Sequence, residues 1–111
     1  MHKSLIYIAS PYSHPEKDVR DARVRAAAAY AARLFNMNVP CYSPIAHWAS
    51  IADAFSLPHG IDAYWSQDEA VLQFARAVHV LELPGWQESV GVAREIDFAK
   101  ANGIPVIHIE G

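Results

Sequence analysis

The sequence predicts a small α/β protein: a doubly wound, flavodoxin- or Rossmann-like parallel sheet of about four strands, ordered 2-1-3-4, with helices on both faces. Three observations lead to this prediction. Short apolar runs typical of buried strands alternate with helical segments along the chain. Helical crossovers join parallel strands with a right-handed connection. The length of 111 residues suits one domain, residues 1–111, with a single core.

The first half of the chain is expected to form strand, helix, strand. Residues 4–9 are an apolar run that ends at Ser10-Pro11, so they predict a buried first strand. A helix is expected over 15–36, because proline suits a first turn and the alanine-rich part has high helix propensity. Residues 38–42 predict a second strand, at a sheet edge because of Pro40. The helical stripe expected to face the sheet consists of Val19, Ala26, Tyr30 and Leu34.

The second half adds helices and strands in the same alternation. Its helices are predicted at residues 48–57, 61–75 and 89–101, and its strands at 77–83 and 104–109. Pro58-His59-Gly60 is expected to separate the first two of these helices. Ser89 is a favoured N-cap residue. Asn102-Gly103 predicts the end of the same helix, with a C-cap residue in the left-handed backbone conformation. The order of elements completes the doubly wound sheet.

Composition and charge exclude several classes of function. A net charge of −3 and a pI near 6.0 lack the basic face that duplex nucleic acid demands, so no polynucleotide partner is expected. No apolar run approaches the roughly 20 residues that cross a bilayer. The chain start does not resemble a signal peptide. These features predict a cytoplasmic protein with no membrane partner.

The cysteine and histidine patterns do not predict a metal centre. Cys41 is the only cysteine, which excludes an intrachain disulfide and a cysteine-based zinc cluster. The six histidines show neither HxH nor HExxH spacing. We therefore predict no bound metal, and we expect Cys41 to be a small buried apolar residue.

The stretch from Trp86 to Ile96 is the most informative part of the sequence. Ser89 can cap a helix, Gly91 lets another group approach the backbone closely, and Glu95 lies four residues after Gly91 on the same helical face. One carboxylate is thus expected beside a gap. The free N–H groups of the helix start would also attract a phosphate or a carboxylate.

Polar residues follow the first two strands, at the edge where open parallel sheets bind ligands. Near the first strand the candidate site residues are Tyr7, Ser10, Tyr12 and Ser13. Tyr7 could equally pack in the core, and Ser10-Pro11 could simply turn the chain. Ser43-Pro44-Ile45-Ala46-His47 follows the second strand, where His47 either orients a substrate hydroxyl or is a structural histidine.

Each of the remaining candidate site residues also has a simple structural explanation. Asp68, within Gln67-Asp68-Glu69, is by itself most simply a solvent-facing carboxylate. Arg20 and Arg23 belong to a solvated helix face, unless one of them reaches an anionic ligand. Trp65 and Trp86 suit core or interface packing better than stacking on a ligand.

These motifs together resemble a bacterial and phage family within the nucleoside 2-deoxyribosyltransferase superfamily, which includes the 2′-deoxynucleoside 5′-phosphate N-hydrolases. The residues that carry the resemblance are Tyr7-Ile8-Ala9-Ser10-Pro11-Tyr12, Ser43-Pro44-Ile45-Ala46-His47, Asp68, Ser89-Val90-Gly91-Val92-Ala93-Arg94-Glu95-Ile96 and Gly103-Ile104-Pro105-Val106. The resemblance covers essentially the whole chain, and it extends to the characterised enzymes mainly through the two ends and Asp68.

The resemblance implies an N-glycosidic bond enzyme that acts on a nucleoside or nucleotide without a cofactor. Glu95 would be the nucleophile, Asp68 would protonate the departing base, and Tyr7 would fix Glu95 by a hydrogen bond. The implied substrate-binding residues are Ser10, Pro11, Tyr12, His47, Ser89 and Gly91. The resemblance also implies a homo-oligomer.

Two departures from the characterised enzymes bear on the substrate. The first loop, Ser10-Pro11-Tyr12-Ser13, lacks their glycine-rich or arginine-bearing sequence, which leaves selection for a 5′-phosphate open. Arg76 stands near the third strand, where those enzymes commonly have an aspartate. One alternative is a non-catalytic module that binds a nucleotide or an ADP-ribose-like ligand. Another is cleavage of a modified or ribosylated nucleotide.

Overall fold

A computed structural model of the chain describes residues 3–58 and 61–111. Its helices are α1 (Lys17–Asn36), α2 (Pro44–Phe55), α3 (Ile61–Leu72) and α4 (Val90–Ala101), and its strands are β1 (Leu5–Ala9), β2 (Cys41–Tyr42), β3 (Ala75–Glu82) and β4 (Val106–Glu110). A single 3-10 turn, Trp86–Glu88, precedes α4. The predicted break at Pro58-His59-Gly60 lies partly outside the described residues, because His59 and Gly60 are not among them.

All four strands are parallel and lie in the order β2-β1-β3-β4, which confirms the predicted topology. Tyr7 of β1 pairs with Tyr42 of β2 on one side and with Val78 of β3 on the other. Val78 pairs in turn with Val106 of β4. β2 is an edge strand, as Pro40 predicted, and the carbonyl of Pro40 accepts a hydrogen bond from the N–H of Ile6.

Alternate residues of the central strands supply the two halves of the core. Ile6 and Ile8 lie with Leu34 of α1 in a cluster on one face. Tyr7 and Ala9 lie on the opposite face, in a cluster that includes Val92 of α4. β1 is therefore buried between helices on both sides, which explains its continuous apolar sequence.

The helix α1 differs from its predicted stripe. Ala27 and Leu34 are its buried residues, and Tyr30 packs against the core beside them. Val19 and Ala26, which lie nearer the helix start, instead line an open cavity. The first half of α1 therefore extends beyond the sheet and forms a wall above its carboxyl edge.

The segment after β2 also differs from the expected polar loop. Pro44 is the first residue of α2, and the side chain of Ser43 caps the helix by accepting a hydrogen bond of 3.1 Å from the N–H of Ala46. Serine followed by proline is a favoured helix start, so the helix begins four residues earlier than predicted. Only Cys41–Tyr42 remains as a strand. No helix among the described residues is long and apolar enough to cross a membrane.

Replacement of Ser43 by alanine should lower the free energy of unfolding by about 1 kcal/mol, the usual cost of losing an N-cap. Ser50→Ala on the exposed surface of the same helix serves as the control and should cost far less. Urea denaturation of both variants measures the difference. Equal stabilities of the two variants would contradict the capping role of Ser43.

Candidate active site

A cavity of about 1090 Å³ lies at the carboxyl edge of the sheet. Its walls come from the first half of α1, from α2 and α3, from the loop after β3 and from the start of α4. This is the edge at which open parallel sheets bind ligands. The predicted site residues that line the cavity are Ser10, Tyr12, Ser13, Asp68, Ser89, Gly91 and Glu95. The volume is ample for a small organic ligand.

Glu95 is the most unusual residue of the cavity wall, because its carboxyl group is almost fully buried. Only 7% of the residue is exposed, although it lines the cavity. The hydroxyl group of Tyr7 donates a hydrogen bond of 2.5 Å to Glu95 Oε2. Tyr7 is fully buried, so it both packs in the core and contacts the candidate site. The distance is at the short end for an O–H···O hydrogen bond, and this bond favours the ionised form of Glu95.

The start of α4 places Glu95 in this position. The Ser89 side chain accepts a hydrogen bond of 3.2 Å from the N–H of Val92, which confirms the predicted N-cap. Gly91 lines the cavity one helical turn before Glu95. Without a side chain at Gly91, space remains beside the carboxyl group.

Asp68 supplies a second carboxyl group to the same cavity. It lies on α3, is half-buried and lines the cavity wall, in contrast to the simple reading of a solvent-facing residue. The hydroxyl group of Tyr42 lies 3.3 Å from Asp68 Oδ1 and donates a hydrogen bond to it. Two carboxyl groups from different helices therefore share one cavity, and each contacts a tyrosine.

Burial shifts the titration of both carboxyl groups. It raises the pKa of Glu95 to about 8, with a smaller contribution from the negative charge of Asp68, while the Tyr7 hydrogen bond opposes the rise. Burial also raises the pKa of Asp68 to about 6, against the donors Tyr42 and Trp48. Burial and the charge of Glu95 raise the pKa of Tyr7 well above its ordinary value, so this phenol stays protonated. Near neutral pH the pair retains about one proton.

A family model described as a domain of unknown function, DUF1937, matches residues 4–111. The chain belongs to the DUF1937 family. Among curated proteins no sequence matches it. The matched region contains the whole sheet and every residue of the cavity wall.

Other candidate residues of this DUF1937 chain occupy different positions around the cavity. Ser10 lines the cavity, and its hydroxyl group is buried without a hydrogen-bond partner among the described residues. Pro11 is buried, and His47 is exposed, with its ring 5.5 Å from that of Tyr42; neither lines the cavity. Trp65 lines the cavity, whereas Trp86 packs against His108.

Arg23 connects two loops at the cavity mouth. Its guanidinium group donates to the carbonyl oxygens of Ser13 and Pro84, each at 2.9 Å. Gly85 has a φ of +91°, and a Cβ atom there would lie 2.5 Å from Arg23 Nη2. The positive φ favours glycine at this position, and a side chain there would displace the Arg23 guanidinium group. Arg23 was predicted to lie on a solvated helix face. It instead connects the loop after β1 to the loop after β3.

Sequence reasoning missed two residues of the candidate site, Tyr42 and Trp48. Tyr42 is the last residue of the second strand, and ligands bind at the carboxyl ends of parallel strands, so its position could have identified it as a candidate site residue. Trp48 lines the cavity from α2, and its indole N–H is buried with no hydrogen-bond partner in the described chain. In residues 3–58 and 61–111, no group of three or more histidine, cysteine, aspartate or glutamate residues could hold a metal ion.

The raised pKa of Glu95 predicts that the protein loses stability as the pH rises. The folded state keeps its proton up to about pH 8, whereas an unfolded glutamate releases it near its ordinary pKa, so deprotonation favours unfolding between these values. The free energy of unfolding should therefore fall between pH 5 and 8, by at most about 1.4 kcal/mol per pH unit for this one group.

Glu95→Gln should flatten this dependence and raise stability at pH 8 more than at pH 5. Asp97→Asn, an exposed change on the same helix, should leave the slope as it is. Urea unfolding at pH 5, 6, 7 and 8 measures the slope. An unchanged slope in Glu95→Gln would show that this carboxyl group is not the source of the pH dependence.

Proposed function

We propose that this protein cleaves the N-glycosidic bond of nucleosides or nucleotides, with Glu95 as nucleophile and Asp68 as general acid. The observation that carries the proposal is the buried Glu95 carboxyl group, held by Tyr7 in the wall of a cavity that it shares with Asp68. The resemblance of these residues to those of the nucleoside 2-deoxyribosyltransferase superfamily supports the same assignment.

The chemistry needs Glu95 ionised and Asp68 protonated. The pKa values of about 8 for Glu95 and about 6 for Asp68 place the shared proton mainly on Glu95 in the free protein, so the reaction proceeds from the less populated form in which Asp68 holds it. As the bond from the anomeric carbon to the base nitrogen breaks, positive charge develops on the sugar. Glu95 attacks the anomeric carbon and forms an ester, while the electron pair of the broken bond passes to the base nitrogen. Asp68 gives its proton to the base. Attack by water or by a second base then releases the sugar, and Asp68 takes the proton of that nucleophile.

The hydrogen bond from Tyr7 prepares Glu95 for this role. It occupies Oε2 and leaves Oε1 for attack. It also favours the ionised form, which burial disfavours. Because the pKa of Tyr7 is raised well above its ordinary value, the phenol remains a donor throughout the reaction.

The cavity also offers groups that could bind the sugar and the base. The unpaired Ser10 hydroxyl group suits a sugar hydroxyl, and the Trp65 ring suits a planar base. The sugar would pass either to water or to a second base. The outcome would depend on how well the occupied cavity excludes solvent. The homo-oligomer expected from the family resemblance stays a prediction.

Glu95→Gln should lower the rate of base release at least about a thousandfold, because an amide cannot form the ester intermediate. Asp68→Asn should lower it about a hundred- to ten-thousandfold, the usual value of a general acid. Chromatography of free base measures the rate, with deoxy- and ribonucleosides and their 5′-monophosphates as substrates, each with and without an acceptor base.

The exposed variant Asp97→Asn should retain wild-type activity. Base release that survives in Glu95→Gln would rule out the nucleophile assignment. Nucleotide binding without release from any of these substrates would support a non-catalytic binding module instead.

The dependence of kcat/KM on pH should be bell-shaped, with limbs near pH 6 and 8 and a maximum near pH 7. Below the lower limb both carboxyl groups are protonated and Glu95 cannot attack. Above the upper limb both are ionised and no proton is available for the base. The two apparent pKa values of the profile belong to the coupled pair and not to single residues. Glu95→Gln should therefore show no bell-shaped profile, because its activity is lost. A rate that rises steadily from pH 5 to 9 would exclude the acid role.

A further inference from the structure

Tyr42 occupies in β2 the position that Tyr7 occupies in β1. The parallel register pairs these two residues directly, and paired residues of adjacent strands project to the same face of a sheet. Their ring centres lie 5.8 Å apart. Each hydroxyl group donates to one carboxyl group of the cavity, Tyr7 to Glu95 at 2.5 Å and Tyr42 to Asp68 at 3.3 Å. Two tyrosine–carboxyl pairs are therefore placed side by side by the sheet itself.

The surroundings of Tyr42 fix its ring. The ring packs against the core cluster that contains Tyr7, and the ring of His47 lies 5.5 Å away on another side. The His47 ring stands nearly perpendicular to the Trp48 ring, with the two ring centres 4.8 Å apart. The Trp48 indole N–H is buried without a hydrogen-bond partner in the described chain, and it lowers the pKa of both Tyr42 and Asp68. Two donors, from β2 and α2, thus approach a carboxyl group that comes from α3.

We propose that Tyr42 is a positioning residue that holds the Asp68 carboxyl group in the cavity, as Tyr7 holds that of Glu95. This inference rests on the proposed function for its role in catalysis. The hydrogen bond of 3.3 Å is long. Hydrogen bonds of catalytic groups are often long without substrate and tighten when it binds. In this arrangement the β1–β2 register sets the separation of the acid from the nucleophile.

Tyr42 also acts on the proton of Asp68. Its hydroxyl group stabilises the ionised carboxylate and so opposes the effect of burial on the pKa of Asp68. The titratable and donor groups that face Asp68 are Tyr42 and Tyr7 from the sheet, His47 and Trp48 from α2, Glu95 from α4 and Tyr64 from α3 itself. Removal of the Tyr42 hydroxyl group leaves all the other groups in place.

The first test is a carbon-13 NMR titration of the side-chain carboxyl groups in the free protein, with the Asp68 resonance assigned from Asp68→Asn. In Tyr42→Phe the titration midpoint of Asp68 should move to higher pH by about 0.5 pH unit or more, as expected for the loss of one hydrogen bond to a carboxylate. Tyr30→Phe is a matched control, since it also removes a tyrosine hydroxyl group from a hydrogen bond, here with His79 on the opposite face of the sheet.

The Asp68 midpoint should stay at its wild-type value in Tyr30→Phe. The same midpoint in Tyr42→Phe as in the wild type would overturn the proposal. A second measurement needs no altered tyrosine: the Cζ resonance of Tyr42 in the wild-type protein should follow the titration of Asp68, and this response should vanish in Asp68→Asn. A Tyr42 resonance that does not respond to the Asp68 titration would likewise count against the contact.

The second test measures base release. Tyr42→Phe should lower kcat about tenfold with little change in KM, and the limb near pH 6 should move to higher pH. Tyr30→Phe should change neither. A wild-type pH profile in an active Tyr42→Phe protein would overturn the positioning role. If no substrate releases its base, the proposed function fails, and the NMR titration alone decides whether Tyr42 controls Asp68.

Discussion

The hydrogen bond between Tyr7 and Glu95 is the interaction on which the site depends. It joins the centre of the sheet to α4 and satisfies a carboxyl group that is almost completely buried. A buried carboxylate without a partner would destabilise the fold strongly. With Tyr7 as donor, the group can keep a raised pKa and still ionise when chemistry requires it. Stability and reactivity are therefore set by the same contact.

The candidate site shares residues with the hydrophobic core. The cavity lies at the carboxyl edge of the sheet that carries this core. Tyr7 belongs both to the core and to the candidate site. The register of β1 and β2 then brings Tyr42, and through it Asp68, next to the first pair. The geometry of the sheet therefore sets the relative positions of the two tyrosines.

The loops around the cavity are fixed by backbone contacts. Arg23 binds carbonyl oxygens on both sides of the mouth, and Gly85 leaves the space that its guanidinium group needs. The Ser10 hydroxyl group and the Trp48 N–H are buried without a hydrogen-bond partner within the described chain, and both residues line the cavity.

The sequence by itself determined the strand order and the helix that carries Glu95. Parallel strands joined by helices leave few topologies, and Ser89 and Asn102-Gly103 mark the ends of α4 by local backbone chemistry. Local patterns could not determine what surrounds Asp68, because its exposure depends on contacts between α3 and residues from β2 and α2 that are distant in sequence.

The same reason explains the differences in α1 and after β2. Val19 and Ala26 fit an apolar stripe, yet only the position of the sheet decides that they line a cavity rather than the core. Tyr42 reads as an ordinary strand residue until pairing places it beside Tyr7. Helix ends and strand order follow from short-range chemistry, whereas burial and the pairing of charged groups arise only when distant segments meet.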